Sequence, residues 1–379
     1  MNMLIAGDLV PYGDDVTLFK HGDIEGLLGK ELFKIWSQAG SRVFNLETPL
    51  INHGILLSKC GPNLKADEKC INGITKLKPS TICLANNHIL DYGESGLNKT
   101  VSILKENGLS YVGVGKNLEK AIRCKVLNVG SKKVAVYNTC EMEFSVATKN
   151  SSGAFGYDEG EIIEDLIDLK KKNDYVVVIY HGGKEHYRYP SPLLQKRCRL
   201  LVRFGADLVV CQHSHCIGCM EKYDSGTIIY GQGNFIFNKE SNEFWNESLI
   251  IDASFGDKIC ISYIPIIKQQ QGIRIAEGEE RERILREFKK RSEEIKDGSF
   301  VDKQYNDYSK EMLNAYLFRL HGNSKMTRIL YKLTNGKVMS RMYNGNKKLT
   351  VQNMIECESH RELIIQGLKC SIEDEADNK

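Results

Sequence analysis

The chain has 379 residues, 41% hydrophobic and 27% charged, an ordinary balance for a soluble globular protein longer than one average domain. A formal net charge of +3 is too small to argue for nucleic acid or an anionic membrane surface as a partner. No run approaches the roughly 18 consecutive apolar residues of a membrane span.

A first strand is expected at 3–6 and ends in Gly7-Asp8. These opening residues lack the basic start and long apolar core of a signal peptide. After a Gly- and Asp-rich loop, apolar spacing places a helix near 27–38. A strand over 42–46 delivers Asn45-Leu46-Glu47, with Pro49 as a stop signal. A loop carrying Lys59 and Lys65 leads to a helix at 68–76 and an apolar run at 81–85, terminated by Asn86-Asn87-His88. Asp91-Tyr92-Gly93 opens a helix to about 107, capped by a glycine. Strands at 111–114, 125–128 and 134–138 precede a helix at 161–172. A strongly apolar strand at 175–180 then runs into His181-Gly182-Gly183. After a helix at 193–204 comes the strand-like stretch 208–215, whose carboxyl end carries His213 and His215. In a strand, side chains two apart share a face, so both rings could meet at one point. Further strands are expected at 227–230, 248–253 and 259–267.

Strands alternating with helices indicate α/β packing, and the strand-rich later part implies mixed pairing. In open α/β sheets, sites form outside the carboxyl ends of the strands. Asp8, Glu47, Asn87, His181, His213 and His215 all fall at such ends. The texture changes around 270: residues 277–296 form a charged, amphipathic helix with a solvated face, and more helices are expected at 308–320, 325–334 and 351–368. Two regions result, a 1–270 domain and a mainly helical 271–379 region with a polar tail, disordered from about 371.

Two carboxylates, one amide and three imidazoles suit two divalent ions of the Mn, Fe or Zn type better than Ca or Mg, which prefer all-oxygen shells. Such ions about 3.5–4 Å apart need a bridging carboxylate, and they activate water as a nucleophile near neutral pH. His88, directly after Asn87, is placed to contact substrate or protonate a leaving group. Glu185 either orients a ligand histidine or touches substrate, and Lys59 and Lys65 could bind an anionic one. A structural zinc on His213, His215, Cys216 and Cys219 competes, but leaves the other strand-end ligands without a role. The twelve cysteines form no framework and read as reduced thiols, so a cytoplasmic location is expected.

The ordered motifs Gly7-Asp8, Asn45-Leu46-Glu47, Leu84-Ala85-Asn86-Asn87-His88 with Asp91-Tyr92-Gly93, His181 to Glu185, Gln212 to His215 and Tyr230 to Phe235 resemble the CapA capsule-synthesis family. That family is a branch of the calcineurin-like metallophosphoesterases. The likeness covers residues 1–268 and implies an αββα sandwich of mixed sheets, with the helical C-terminal region as an appendage. It implies that Asp8 and His215 hold one metal, that Asn87, His181 and His213 hold the other, and that Glu47 bridges where the family's phosphoesterases usually carry Asp. His88 matches a position that binds a phosphoryl oxygen. Val10 stands where those enzymes carry the His of Asp-x-His, which leaves the first metal with fewer protein ligands. The expected function is a metal-dependent hydrolase of a phosphoester or an amide, linked to capsule or poly-γ-glutamate-type polymer biosynthesis. The alternative is a non-catalytic capsule-assembly protein that keeps the metal site. Partners are an anionic small-molecule or polymer substrate, without nucleic acid and without a membrane span.

Overall fold

The computed structural model describes residues 1–238, 240–321 and 324–356, and beyond them 360, 361, 364, 367, 368 and 372. The tail expected to be disordered from about 371 lies outside these residues apart from Ile372, as does part of the helix expected over 351–368. In chain order the strands are β1 Asn2–Leu9, β2 Ser41–Leu46, β3 Thr81–Cys83, β4 Tyr111–Val112, β5 Val114–Gly115, β6 Cys124–Val129, β7 Lys132–Cys140 and β8 Gly153–Ala154. They continue with β9 Tyr175–His181, β10 Leu208–Gln212, β11 Met220–Tyr223, β12 Gly226–Ile229, β13 Asn234–Ile236, β14 Glu247–Phe255, β15 Ile259–Lys268 and β16 Ile273–Ile275.

Two mixed sheets result. One has the order β16-β15-β14-β1-β2-β3-β4, with β13 also paired to β1; the other runs β11-β12-β10-β9-β7-β6. The short β5 and β8 pair separately. Period-2 alternation explains how the sheets stack, because central strands covered on both sides must be apolar on both faces. Met3 and Ile5 of β1, Val177 and Ile179 of β9, and Leu208 and Val210 of β10 meet in one core between the sheets. The intervening residues point outward: Leu4 and Ala6 into a helix-covered core on one side, Val176, Val178 and Val209 into another on the opposite side. This is the αββα sandwich of mixed sheets. Each of these fully buried Val, Leu or Ile side chains contributes about 1.5–3 kcal/mol relative to exposure.

Residues 1–302 and 303–379 form two compact units. The first therefore runs past the boundary expected near 270, and the physical reason is the helix Gly278–Glu294. Its Ile284 and Phe288 pack with Ile217, Leu249 and Ala276, and Arg291 Nε donates to the Gly218 carbonyl at 2.8 Å. That helix shows solvent only one face and belongs to the sandwich, not to an appendage. The second unit is helical, with Lys325–Leu333, Lys337–Met342 and Gly345–Glu356. Ser324 caps the first of these by accepting from the Thr327 N–H, and the Phe318 and Tyr331 rings stack at 4.4 Å. Among the described residues no helix is long and apolar enough to cross a membrane.

Candidate metal centre

The six strand-end residues come together at the carboxyl rim of the two sheets. Alternation along β1 would turn Asp8 toward the helix layer, because Met3 and Ile5 face the other sheet. A register irregularity between Ile5 and Asp8 in the β1–β2 ladder resets the phase. Gly7 makes this possible: a Cβ there would lie 1.9 Å from the Gly233 carbonyl oxygen. Asp8, fully buried, then accepts from Asn45 Nδ2 at 2.7 Å and from the His213 backbone N–H at 3.1 Å. Its carboxylate lies 3.6 Å from His181 Nδ1 and 3.7 Å from His215 Nδ1.

Glu47, just past β2, is the centre of the arrangement. His181 Nε2 lies 3.2 Å from Glu47 Oε1, but off the line of a hydrogen bond, and His213 Nδ1 lies 4.0 Å away. Both Glu47 oxygens and His213 Nδ1 are buried with no hydrogen-bond partner. Leaving an ionised carboxylate unsatisfied in the interior is costly. A cation is the physical remedy, so the residues fit a metal. Ligand atoms of Asp8, Glu47 and His215 lie within 4.8 Å of one another, and so do those of Glu47, His181 and His213; Glu47 belongs to both groups. Asn87 Oδ1 is 3.1 Å from His181 Nε2, on the second group's side. A divalent ion could be held by each group, with Glu47 shared.

The electrostatics follow from this crowding. Burial opposes ionisation of Glu47, but the charges of His215 and His181 hold its carboxyl well below the usual value. Burial likewise opposes charging of His181, yet the Glu47 and Asp8 carboxylates push it up to about 10. His213 is raised as well, against its burial, by Glu47 and Glu141.

The structure departs from the expected local geometry of the histidine pair. The strand β10 ends at Gln212, and His213 and His215 lie beyond it with left-handed φ values of 83° and 52°. Strand alternation therefore does not align the rings; a strained bend does, of a kind that collects at functional sites. His215 is held by Asn234 Oδ1, 2.9 Å from Nδ1, and lies against Trp245 at 4.5 Å between centroids. Val10 is fully buried and offers no ligand atom, so the Asp8 and His215 group lacks the further imidazole. Cys216 and Cys219 join none of the ligand groups among the described residues, and Cys219 packs in the outer core, which removes the structural-zinc alternative.

A cavity of about 360 Å³ opens over the centre, lined among others by Glu47, Lys59, Asn87, His88, Glu185 and His215. His88 Nδ1 is 2.6 Å from Asp91 Oδ2, which orients the ring. Lys59 is nearly buried, forms a close ion pair with Asp91 and approaches His88 Nδ1 at 3.2 Å. Lys65 instead donates to the Asn52 carbonyl and does not line the cavity. Glu185 sits at the rim, 45% exposed, with Oε1 4.0 Å from His213 Nε2.

Three contributors carried no sequence signal of their own. Asn45 ties Asp8 to His181, whose Nδ1 is 3.2 Å from Asn45 Nδ2. Asn234 steadies His215, and Glu141 reaches His213 Nε2 at 3.7 Å from outside the recognised motifs. Only Asn45 and Asn234 could have been found, because both lie inside quoted motifs.

Comparison with known proteins finds relatives of this chain. The chain is 32% identical over 251 residues to "Capsule biosynthesis protein CapA" of Bacillus anthracis, covering 60% of this chain and 61% of the relative. It is 27% identical over 253 residues to "PGA biosynthesis protein CapA" of Bacillus subtilis, covering 60% and 65%. The matches thus span less than two thirds of those relatives' own length. Among solved structures, a putative 5'-nucleotidase from Staphylococcus aureus is similar with TM-score 0.45 and 15% identity, over 76% of this chain and 58% of that one. The profile described as bacterial capsule synthesis protein PGA_cap matches residues 2–239, and the chain belongs to that family.

Proposed function

We propose that this protein is a metal-dependent hydrolase of the capsule-synthesis family, acting on a phosphoester, or on an amide, of an anionic substrate in capsule or poly-γ-glutamate-type polymer biosynthesis. The observation that carries the reading is Glu47: a fully buried carboxylate with neither oxygen hydrogen-bonded, shared by two groups of imidazole and carboxylate ligands. Divalent ions of the Mn, Fe or Zn type bound there supply Lewis acidity and an activated water.

The chain's own residues do the rest. Asp8, Glu47, Asn87, His181, His213 and His215 would hold the ions. His88, braced by Asp91, faces the cavity within reach of a substrate oxygen and can hold a proton for the leaving group. The Lys59 ammonium, fixed by the same Asp91, adds positive charge to the wall where an anion would lie. We propose the cytoplasm as the compartment on the cysteines, of which the ten described ones are free. The buried Val10, which leaves the Asp8 and His215 position with fewer protein ligands, favours as second reading a non-catalytic capsule-assembly role that keeps the metal site without turnover.

Hydrolysis of an aryl phosphate with added Mn, compared between wild type and His213→Ala, tests the proposal. Turnover that disappears in the variant supports the hydrolase. Absence of turnover with Mn, Zn, Fe and Co alike favours the assembly role.

A further inference from the structure

We propose that Glu141 is the positioning residue of the metal centre: its carboxylate, 3.7 Å from His213 Nε2, favours the tautomer protonated on that nitrogen and so leaves the Nδ1 lone pair toward the Glu47 side, where a cation would sit. The inference rests on the metal-centre reading above and names how one ligand is prepared for it.

Four observations converge on Glu141. The first is the division of the His213 ring. Nδ1 points at Glu47, buried and without a hydrogen-bond partner, whereas Nε2 faces Glu141 Oε1 at 3.7 Å and Glu185 Oε1 at 4.0 Å. An imidazole can ligate a metal through only the nitrogen that carries no proton, and the hydrogen bond at the other nitrogen decides which that is. The second is the placement of the Glu141 backbone. It follows β7 directly, and its N–H donates to the His181 carbonyl at 3.0 Å, which locks it beside another ligand.

The third observation is that its side chain is itself held: Oε2 accepts from the Gly183 N–H at 3.2 Å, leaving Oε1 free to face His213. The fourth is the reason for the two glycines after His181. A Cβ on Gly182 would come within 2.8 Å of the Tyr180 ring and 3.1 Å of both Glu141 Cβ and Oε2, so a side chain at that position would press on the Tyr180 ring first and on the carboxylate as well. Gly183, with φ 115°, adopts a backbone suited to glycine and turns its N–H toward the same oxygen. Glu185 is the less suitable partner for His213. It is 45% exposed, against 34% for Glu141, and no hydrogen bond to its carboxylate is formed in the described structure.

The test measures metal binding, not turnover. Glu141→Ala, Glu141→Gln and Glu185→Gln are titrated with Mn and with Co by calorimetry, alongside wild type, with circular dichroism and thermal melting to establish that each is folded. Loss of a carboxylate that orients a ligand histidine weakens metal binding by about 10- to 100-fold. That loss is expected for Glu141→Ala at one of the two positions. Glu141→Gln keeps an amide oxygen that can accept the same proton, and recovers part of the affinity; Glu185→Gln stays close to wild type. In metal-free wild type, imidazole nitrogen chemical shifts should place the neutral His213 proton on Nε2, and in Glu141→Ala that preference should fall. Should Glu141→Ala not fold, Glu141→Gln and the wild-type tautomer decide. Wild-type affinity in the folded Glu141→Ala, or an Nδ1 proton in wild type, overturns this inference alone. A wild type that binds neither metal overturns the hydrolase reading instead, while the tautomer measurement still judges Glu141.

Discussion

The two sheets contribute different chemistry to one rim. The sheet containing β1, β2 and β3 supplies the oxygen donors Asp8, Glu47 and Asn87 near its strand ends, whereas the sheet containing β9 and β10 supplies the nitrogen donors His181, His213 and His215. Neither set closes a binding site alone. The apolar layer between them, with Met3 and Ile5 against Val177, Ile179 and Val210, sets the distance at which the sets meet. Stability of the sandwich and competence of the site are thereby one property, because an interior packed at crystal-like density transmits displacement.

That view can be broken at several strengths. Removing the shared oxygen donor is the most severe: Glu47→Ala should lose metal from both positions, each by well over about tenfold, or 1.4 kcal/mol. Elemental analysis that finds an unchanged metal content contradicts the bridging role. Next comes the layer between the sheets. Ile179→Ala, two residues before His181 on the same face, should cost about 2–5 kcal/mol of stability. It should also weaken metal binding, although Ile179 touches no ion. Denaturant melts and metal titrations on the same sample check both, and a destabilised variant with intact affinity would separate the two properties.

Acidity gives a gentler probe. In metal-free protein, His181 is raised from 6.5 to about 10, so its contribution to stability is complete below pH 6.5 and drains away as the pH rises through about 10. Glu47 is depressed below 4.5, so its contribution is present above that pH and is lost as the pH falls further. Chelated protein should therefore melt highest between these limits. Added Mn should move the optimum upward, because the imidazoles must shed protons to bind it. A chelated melting temperature that climbs from pH 6.5 to 10 contradicts the carboxylate–imidazole pairing. The smallest effect is expected from removal of residues 303–379, which contain none of the six proposed ligands; metal content per chain should not change.

Much of this was legible in the sequence because strand ends in α/β proteins announce themselves: an apolar run stops and a ligand follows, as at Ile179-Tyr180-His181. The sandwich could be read for the same reason, since β-branched runs buried on both faces need cover on both sides. What could not be read was geometry that depends on partners far along the chain. The bulge that re-aims Asp8 needs the β1–β2 register, and the left-handed turns at His213 and His215 occur at residues with no glycine to advertise them. The charged helix Gly278–Glu294 looked solvated, because its polar residues outnumber the Ile284 and Phe288 that dock it. Glu141 was invisible since a lone acid after a strand is ordinary.

Gly7 shows how a residue without reactive atoms can masquerade as one that has them. A single methyl there would collide with the Gly233 carbonyl and wedge β1 away from the segment leading into β13, carrying Asp8 and Asn234 with it. An alanine scan scored only by turnover would rank Gly7 beside the ligands, and only a scan that also followed folding would reveal it as a spacer.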